Sequence, residues 1–219
     1  MRNYFRLSLY LIVFIGTSIV RAGSYEDYFA ALQRDDVATV RSLLERGFDP
    51  NTRDPQGQVG LYLALREPAL GVAGLLLKWP QVDVDARNAQ DENPLMMACL
   101  KGQADWVAKL IERGADVNKP GWTPLHYAAT SGQLKIIEIL LEHHAYIDAA
   151  SPNGTTPLMM AAMYGTPSSV KLLLESGADP LLKNGLGLNA MDFARRSKNS
   201  ESEELIAAFV RGRQPRGQW

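Results

Sequence analysis

One cysteine, three histidines and almost no surplus charge are what this chain of 219 residues has to work with. A lone Cys99 rules out any disulfide within the chain, so the fold stands on packing. The catalytic signatures are missing as well. There is no Gly-x-Ser-x-Gly, no phosphate-cradling glycine loop, no His-Glu-x-x-His, and no base placed beside the cysteine. His143 and His144 are neighbours in sequence, and on a helix they point about 100° apart, a poor geometry for a shared metal. Asp83 and Asp85 in "VDVDA" look like a metal pair but occupy the slots that Asp116 and Asn118 fill further on, which reads as a solvated hairpin.

Only one apolar run stands out. Met1 to Arg6 carries two arginines, Leu7 to Val20 is mostly apolar, and Val20-Arg21-Ala22 supplies side chains that a signal peptidase accepts. Residues 1–22 therefore read as a secretory signal peptide cut after Ala22. The rival is an uncleaved anchor, but a helix over this run covers about 21 Å of a hydrocarbon core roughly 30 Å thick. Cleavage removes Arg2, Arg6 and Arg21, leaving 20 basic against 24 acidic side chains. A mature chain with that balance has no electrostatic footprint for nucleic acid or an anionic membrane. The expected location is periplasmic or secreted, with no stable membrane insertion once the signal is cut. Asn153-Gly154-Thr155 is a sugar-acceptor pattern and keeps a eukaryotic secretory route open.

What the chain does have is self-similarity. "GTTPLMMAAMYG" (154–165) matches "GWTPLHYAATSG" (121–132) at a spacing of 33, and "DENPLMMACLKG" (91–102) matches it at 30. Each is followed by an apolar helix and a turn: "WVAKLIERGADVN", "IIEILLEHHAYID" and "SVKLLLESGADPL". Weaker copies extend the array to residues 24–210, giving about six units. The pattern resembles the ankyrin repeat, whose hallmark is Thr-Pro-Leu-His-x-Ala-Ala with a later Gly-Ala-Asp-x-Asn. The resemblance is strongest over residues 94–184.

That resemblance implies an all-α solenoid of helix-turn-helix units with short β-turn or hairpin fingers. The residue types agree with it on physical grounds. Thr123 caps a helix, Pro124 takes the first position where a missing N–H costs nothing, and Ala128 and Ala129 keep the helix thin. Residues 23–210 form the repeat domain in this reading, and 211–219, "RGRQPRGQW", a disordered basic tail.

Departures from the pattern carry expectations of their own. "ADVNKPGWTP" is about three residues shorter than its counterpart, so the finger between the third and fourth units is truncated. Gly60 stands where other units have proline, Pro68 where they have the inter-helix glycine, and His144 where they end a helix with glycine. The slot of His126 holds Met96, Met159 and Asp192 elsewhere, which makes a structural role the expectation there.

With no catalytic set and no cofactor implied, function falls to a surface. The position after the histidine slot faces the concave side of such a stack, and it reads Ala30, Leu63, Met97, Tyr127, Met160 and Phe193. Leu100, Met163, Tyr164 and Trp122 flank it, with Lys101, Arg66, Glu67 and Glu92 as a mixed-charge rim. A large apolar row on a repeat protein points to a protein partner, unless the side chains pack beneath the fingers instead. Members of the family in general act as protein-binding modules without cofactors. The expected activity is a scaffold or adaptor in the cell envelope, gripping an envelope or secreted enzyme. A dedicated inhibitor or immunity protein neutralising a toxic enzyme is the alternative. A weaker one is a metal or redox protein built on methionines and Cys99.

Overall fold

The structure, a computed structural model, describes residues 23–213; the expected signal peptide and residues 214–219 lie outside it. Among the described residues there are twelve helices and one isolated bridge, Arg53 with Val59, in keeping with the all-α repeat expectation. No helix among them is long and apolar enough to cross a membrane. They fall into two compact units, one ending at Asp83 and one beginning at Val84.

The first unit holds α1 (23–33), α2 (Val37–Glu45), α3 (Gly60–Arg66) and α4 (Leu70–Lys78). Asp36 caps α2, its carboxylate accepting from the Thr39 amide (3.0 Å) and hydroxyl (2.6 Å). Its neighbour Asp35 takes the amides of Gly71 (3.1 Å) and Val72 (2.7 Å), placing a negative charge on the N-terminus of α4. Gly60 has a packing reason for replacing proline: a Cβ there would lie 2.1 Å from the Tyr28 hydroxyl. Tyr28 is fully buried and donates to the Pro50 carbonyl (3.2 Å), and burial pushes its phenol well above the usual range.

The second unit stacks four helix pairs. The inner helices are α5 (Pro94–Leu100), α7 (Pro124–Thr130), α9 (Pro157–Tyr164) and α11 (Ala190–Arg196), each packed on the next. Behind them run α6 (Ala104–Glu112), α8 (Leu134–Glu142), α10 (Pro167–Glu175) and α12 (Ser200–Arg213). Ala128, Ala129, Ala161 and Ala162 are fully buried where inner helices meet, while Ile136, Ile137 and Leu140 seal α8 from behind. Each such large aliphatic side chain contributes about 1.5–3 kcal/mol by leaving water. Because α12 continues to Arg213, residues 211–213 are helical rather than part of the tail expected from 211.

Side-chain-to-backbone bonds register neighbouring repeats within each unit. At one-repeat spacing, a finger side chain accepts the backbone N–H at the start of the next finger. Asp85 takes Asp116 (3.0 Å), Asn118 takes Tyr146 (2.8 Å) and Asp148 takes Asp179 (3.1 Å). Asn51 takes Asp83 (2.8 Å) in the same way within the first unit. Asp85 is thus a hairpin residue engaged in register.

The histidine slot turns out to demand an acceptor. In α7 the Thr123 amide donates to His126 Nδ1 (3.1 Å), and Nε2 pairs with the Thr155 carbonyl (2.9 Å) in the next finger. In α9 the Thr156 amide points at Met159 Sδ (3.4 Å), and in α11 the Asn189 amide donates to Asp192 Oδ2 (3.0 Å). An imidazole nitrogen, a thioether and a carboxylate each satisfy an otherwise orphaned N–H at a helix start.

The turn between the two helices of a pair holds a left-handed residue in most pairs, though not between α9 and α10, where Gly165 has φ −81°. Elsewhere φ is 53° at Asp35, 70° at Gly102, 66° at Gly132 and 57° at Lys198. Pro68 fills that slot at φ 20°, far from the −65° or so that its ring prefers. It also lacks the N–H that Gly102 gives to the Cys99 carbonyl and Gly132 to the Ala129 carbonyl.

One prediction follows from the histidine slot. For His126, burial is the main reason that the imidazole pKa falls to about 4 from 6.5. The unfolded chain therefore takes up a proton before the folded one does. The resulting stabilisation is complete above pH 6.5 and disappears as pH falls through 4, a loss of up to about 3 kcal/mol. His126→Met, which keeps an acceptor but does not titrate, flattens that part of the profile. Parallel profiles for the two proteins would remove His126 as the cause.

Candidate protein-binding surface

The sequence places nine residues on one binding face, and the structure sorts them. In the second unit Tyr127, Met160 and Phe193 are half-buried on successive inner helices, with Trp122 half-buried at the truncated finger. Met163 is also half-buried, while Leu100 and Tyr164 are exposed, the latter at 62%. Met97 is not on the surface: it is only 5% exposed, because α5 is buried from Pro94 to Cys99 and the flexible thioether packs inside. Leu63 belongs to the first unit, where it is half-buried and lines a cleft.

The two aromatic anchors are held in place. The Tyr127 hydroxyl donates to Glu92 Oε1 (2.9 Å), and Asn88 Nδ2 donates to the other oxygen of that carboxylate (2.9 Å). The Trp122 ring meets the His126 ring edge-on, with centroids 5.1 Å apart. Large, rigid side chains with few rotamers to freeze make efficient contacts with a protein partner.

Beneath them sits a residue whose role the sequence did not disclose. Lys119, in the truncated finger, has a fully buried side chain. Its ammonium donates to Asp91 Oδ2 (2.5 Å) and to the carbonyls of Pro120 (3.0 Å) and Trp122 (3.0 Å), so all three protons are used. The Lys119 hydrogen bond is the main reason that the Asp91 carboxyl is held below its usual range. A buried ammonium with three acceptors rigidifies the short finger and the backbone that carries Trp122. A lysine at a finger tip reads as solvated in sequence, and only the missing finger residues hint otherwise.

The other candidates fall to structural roles. Met96 and Met159 are buried, Met159 with its sulfur at the cap of α9. Cys99 is fully buried, and burial raises its thiol pKa well above the ordinary value. His143 and His144 are exposed, with His144 in the left-handed region at φ 62° as its glycine slot requires. Among the described residues no group of three or more His, Cys, Asp or Glu side chains is placed to hold a metal. Exposed apolar side chains also occur on the fingers, at Tyr146 (67%) and Leu186 (77%).

Comparison with known proteins accounts for the repeated geometry. The family description "Ankyrin repeats (3 copies)" matches residues 28–120, 61–151 and 118–184. The human transient receptor potential cation channel subfamily A member 1 is 30% identical over 166 residues, which is 70% of this chain and 15% of the channel. The mouse B-cell lymphoma 3 protein homolog is 33% identical over 66% of this chain, but the match spans only 34% of that protein. The putative ankyrin repeat protein YahD of Escherichia coli K12 is comparable in length: 28% identity covers 83% of this chain and 94% of YahD. A chain in the solved complex of the Bd0816 predatory endopeptidase from Bdellovibrio bacteriovorus with immunity protein Bd3460 has a TM-score of 0.70 and 29% identity. That match covers 83% of this chain and 97% of the other. With helix pairs, fingers and cap slots recurring through residues 28–184, the chain belongs to the ankyrin-repeat family.

Proposed function

We propose that this protein is a non-catalytic, exported binding module that seizes one enzyme and blocks it, in the manner of an immunity protein. Ankyrin repeats mediate protein–protein interaction, and the face built on Trp122, Tyr127, Met160, Met163 and Tyr164 suits that task. The observation that carries the inhibitor reading is the likeness to a chain from an immunity-protein complex with an endopeptidase, which extends over 97% of that chain. A likeness spread over the whole length supports a shared way of working better than a match to one segment of a large channel. The adaptor reading keeps the same face and differs in outcome: the bound enzyme stays active. Export rests on the sequence of residues 1–22 alone.

The test starts from tagged protein beginning at Gly23, produced in the envelope of the cells that make it, cross-linked, with the captured enzyme identified and purified. One-to-one addition should abolish the enzyme's turnover. Binding without loss of turnover selects the adaptor reading. The double variant Tyr127→Ala, Met160→Glu should bind about 100-fold more weakly while its circular dichroism stays unchanged. Equal binding by the folded variant removes this face as the interface.

A further inference from the structure

In the first unit, an open cavity of about 530 Å³ lies between α1, α3 and the finger that joins α2 to α3. Its walls are two helix stripes. Tyr25, Phe29 and Leu32 recur at helical spacing on one face of α1, and Leu63, Arg66 and Glu67 do so on α3. The finger tip closes one end with Asp54. The Tyr25 and Phe29 rings meet at a tilt of 58° with centroids 4.8 Å apart, giving an apolar, aromatic wall.

The frame is fixed from both sides. The Tyr25 hydroxyl donates to the Arg53 carbonyl (3.2 Å), tying α1 to the finger. Arg66 Nη1 donates to Gln58 Oε1 (2.6 Å), tying α3 to the same finger. Asp54 Oδ1 accepts the amides of Gln56 (2.9 Å) and Gln58 (2.7 Å), which sets the carboxylate at the tip. A cavity framed in this way pays little to order itself around a ligand.

Charge decides what enters. The lining carries two carboxylates, Asp54 and Glu67, against one guanidinium, Arg66, which is already paired with Glu67 at 2.7 Å. The nearby Arg53 guanidinium folds back onto the Gly57 carbonyl (2.6 Å). An apolar floor under an acidic rim complements a bulky apolar side chain next to a basic one, and the volume falls within the usual range for ligand pockets.

We infer that this cavity is a second docking point, taking a short partner segment in which an aromatic or leucine side chain adjoins an arginine or lysine. The inference rests on the reading of the chain as a protein-binding module and adds a site in the first unit with its own specificity. The probe is acetyl-Gly-Arg-Phe-Gly-amide, titrated into the ¹⁵N-labelled chain from Gly23 and followed by amide chemical shifts. Saturable shifts confined to residues 24–33 and 53–67 are expected. Replacing Arg by Glu in the peptide should weaken binding about fivefold or more, and replacing Phe by Gly should abolish saturation. Leu63→Trp, which fills the cavity, should remove binding while keeping the folded spectrum elsewhere, and Glu67→Gln should shrink the preference for Arg over Glu. Shifts scattered over the chain, equal binding of all three peptides, or unimpaired binding to Leu63→Trp would each overturn the inference. Peptide binding needs no cellular partner, so a failure here is separate from a failure to capture an enzyme.

Discussion

An α-helix of seven residues does not persist in water, and α3, α5, α7 and α11 each have that length. Everything else in the molecule answers that constraint. Each short helix must have its first N–H groups satisfied, its apolar stripe covered and its neighbour held in register. The acceptor slot does the first in α7, α9 and α11, stacking does the second, and the finger side chains one repeat back do the third. Because each element serves the one beside it, stability belongs to the array and not to any one repeat.

The truncated finger shows how the array tolerates a defect. Losing part of a hairpin removes backbone partners and leaves a hole under the aromatic rings. Lys119 fills the hole with its methylenes and supplies donors to carbonyls that the missing residues would have served. Burying an ammonium is costly in isolation, and Asp91 together with two carbonyls offsets that cost. The outcome is a rigid notch in the second unit, with Trp122 at its edge and Tyr127 tied to Glu92 in the finger before it.

Where side chains repeat for a local reason, the sequence is transparent. Thr-Pro at a helix start, paired alanines and Gly-Ala-Asp each answer a need inside one unit, so the helices, the turns and the role of His126 can be read from the letters. Properties that depend on neighbours cannot. Met97 and Met160 occupy equivalent slots with the same side chain, yet one is buried and the other half-open, because what covers them differs. The burial of Lys119 depends on three residues that are absent. The cavity beside Leu63 could have been suspected from the helical spacing of Tyr25 and Phe29, but its depth follows from where the finger is tied. At the C-terminal end the basic run "RGR" disguised three residues of helix.

Cys99 sits fully buried as the penultimate residue of α5. A thiol in that position is shielded from oxidants and from other thiols for as long as α5 stays packed. Reactivity then belongs to the opened state alone, and the rate of its modification tracks how often the inner helix lets go. The packing of one short helix therefore also governs how long the thiol stays unmodified.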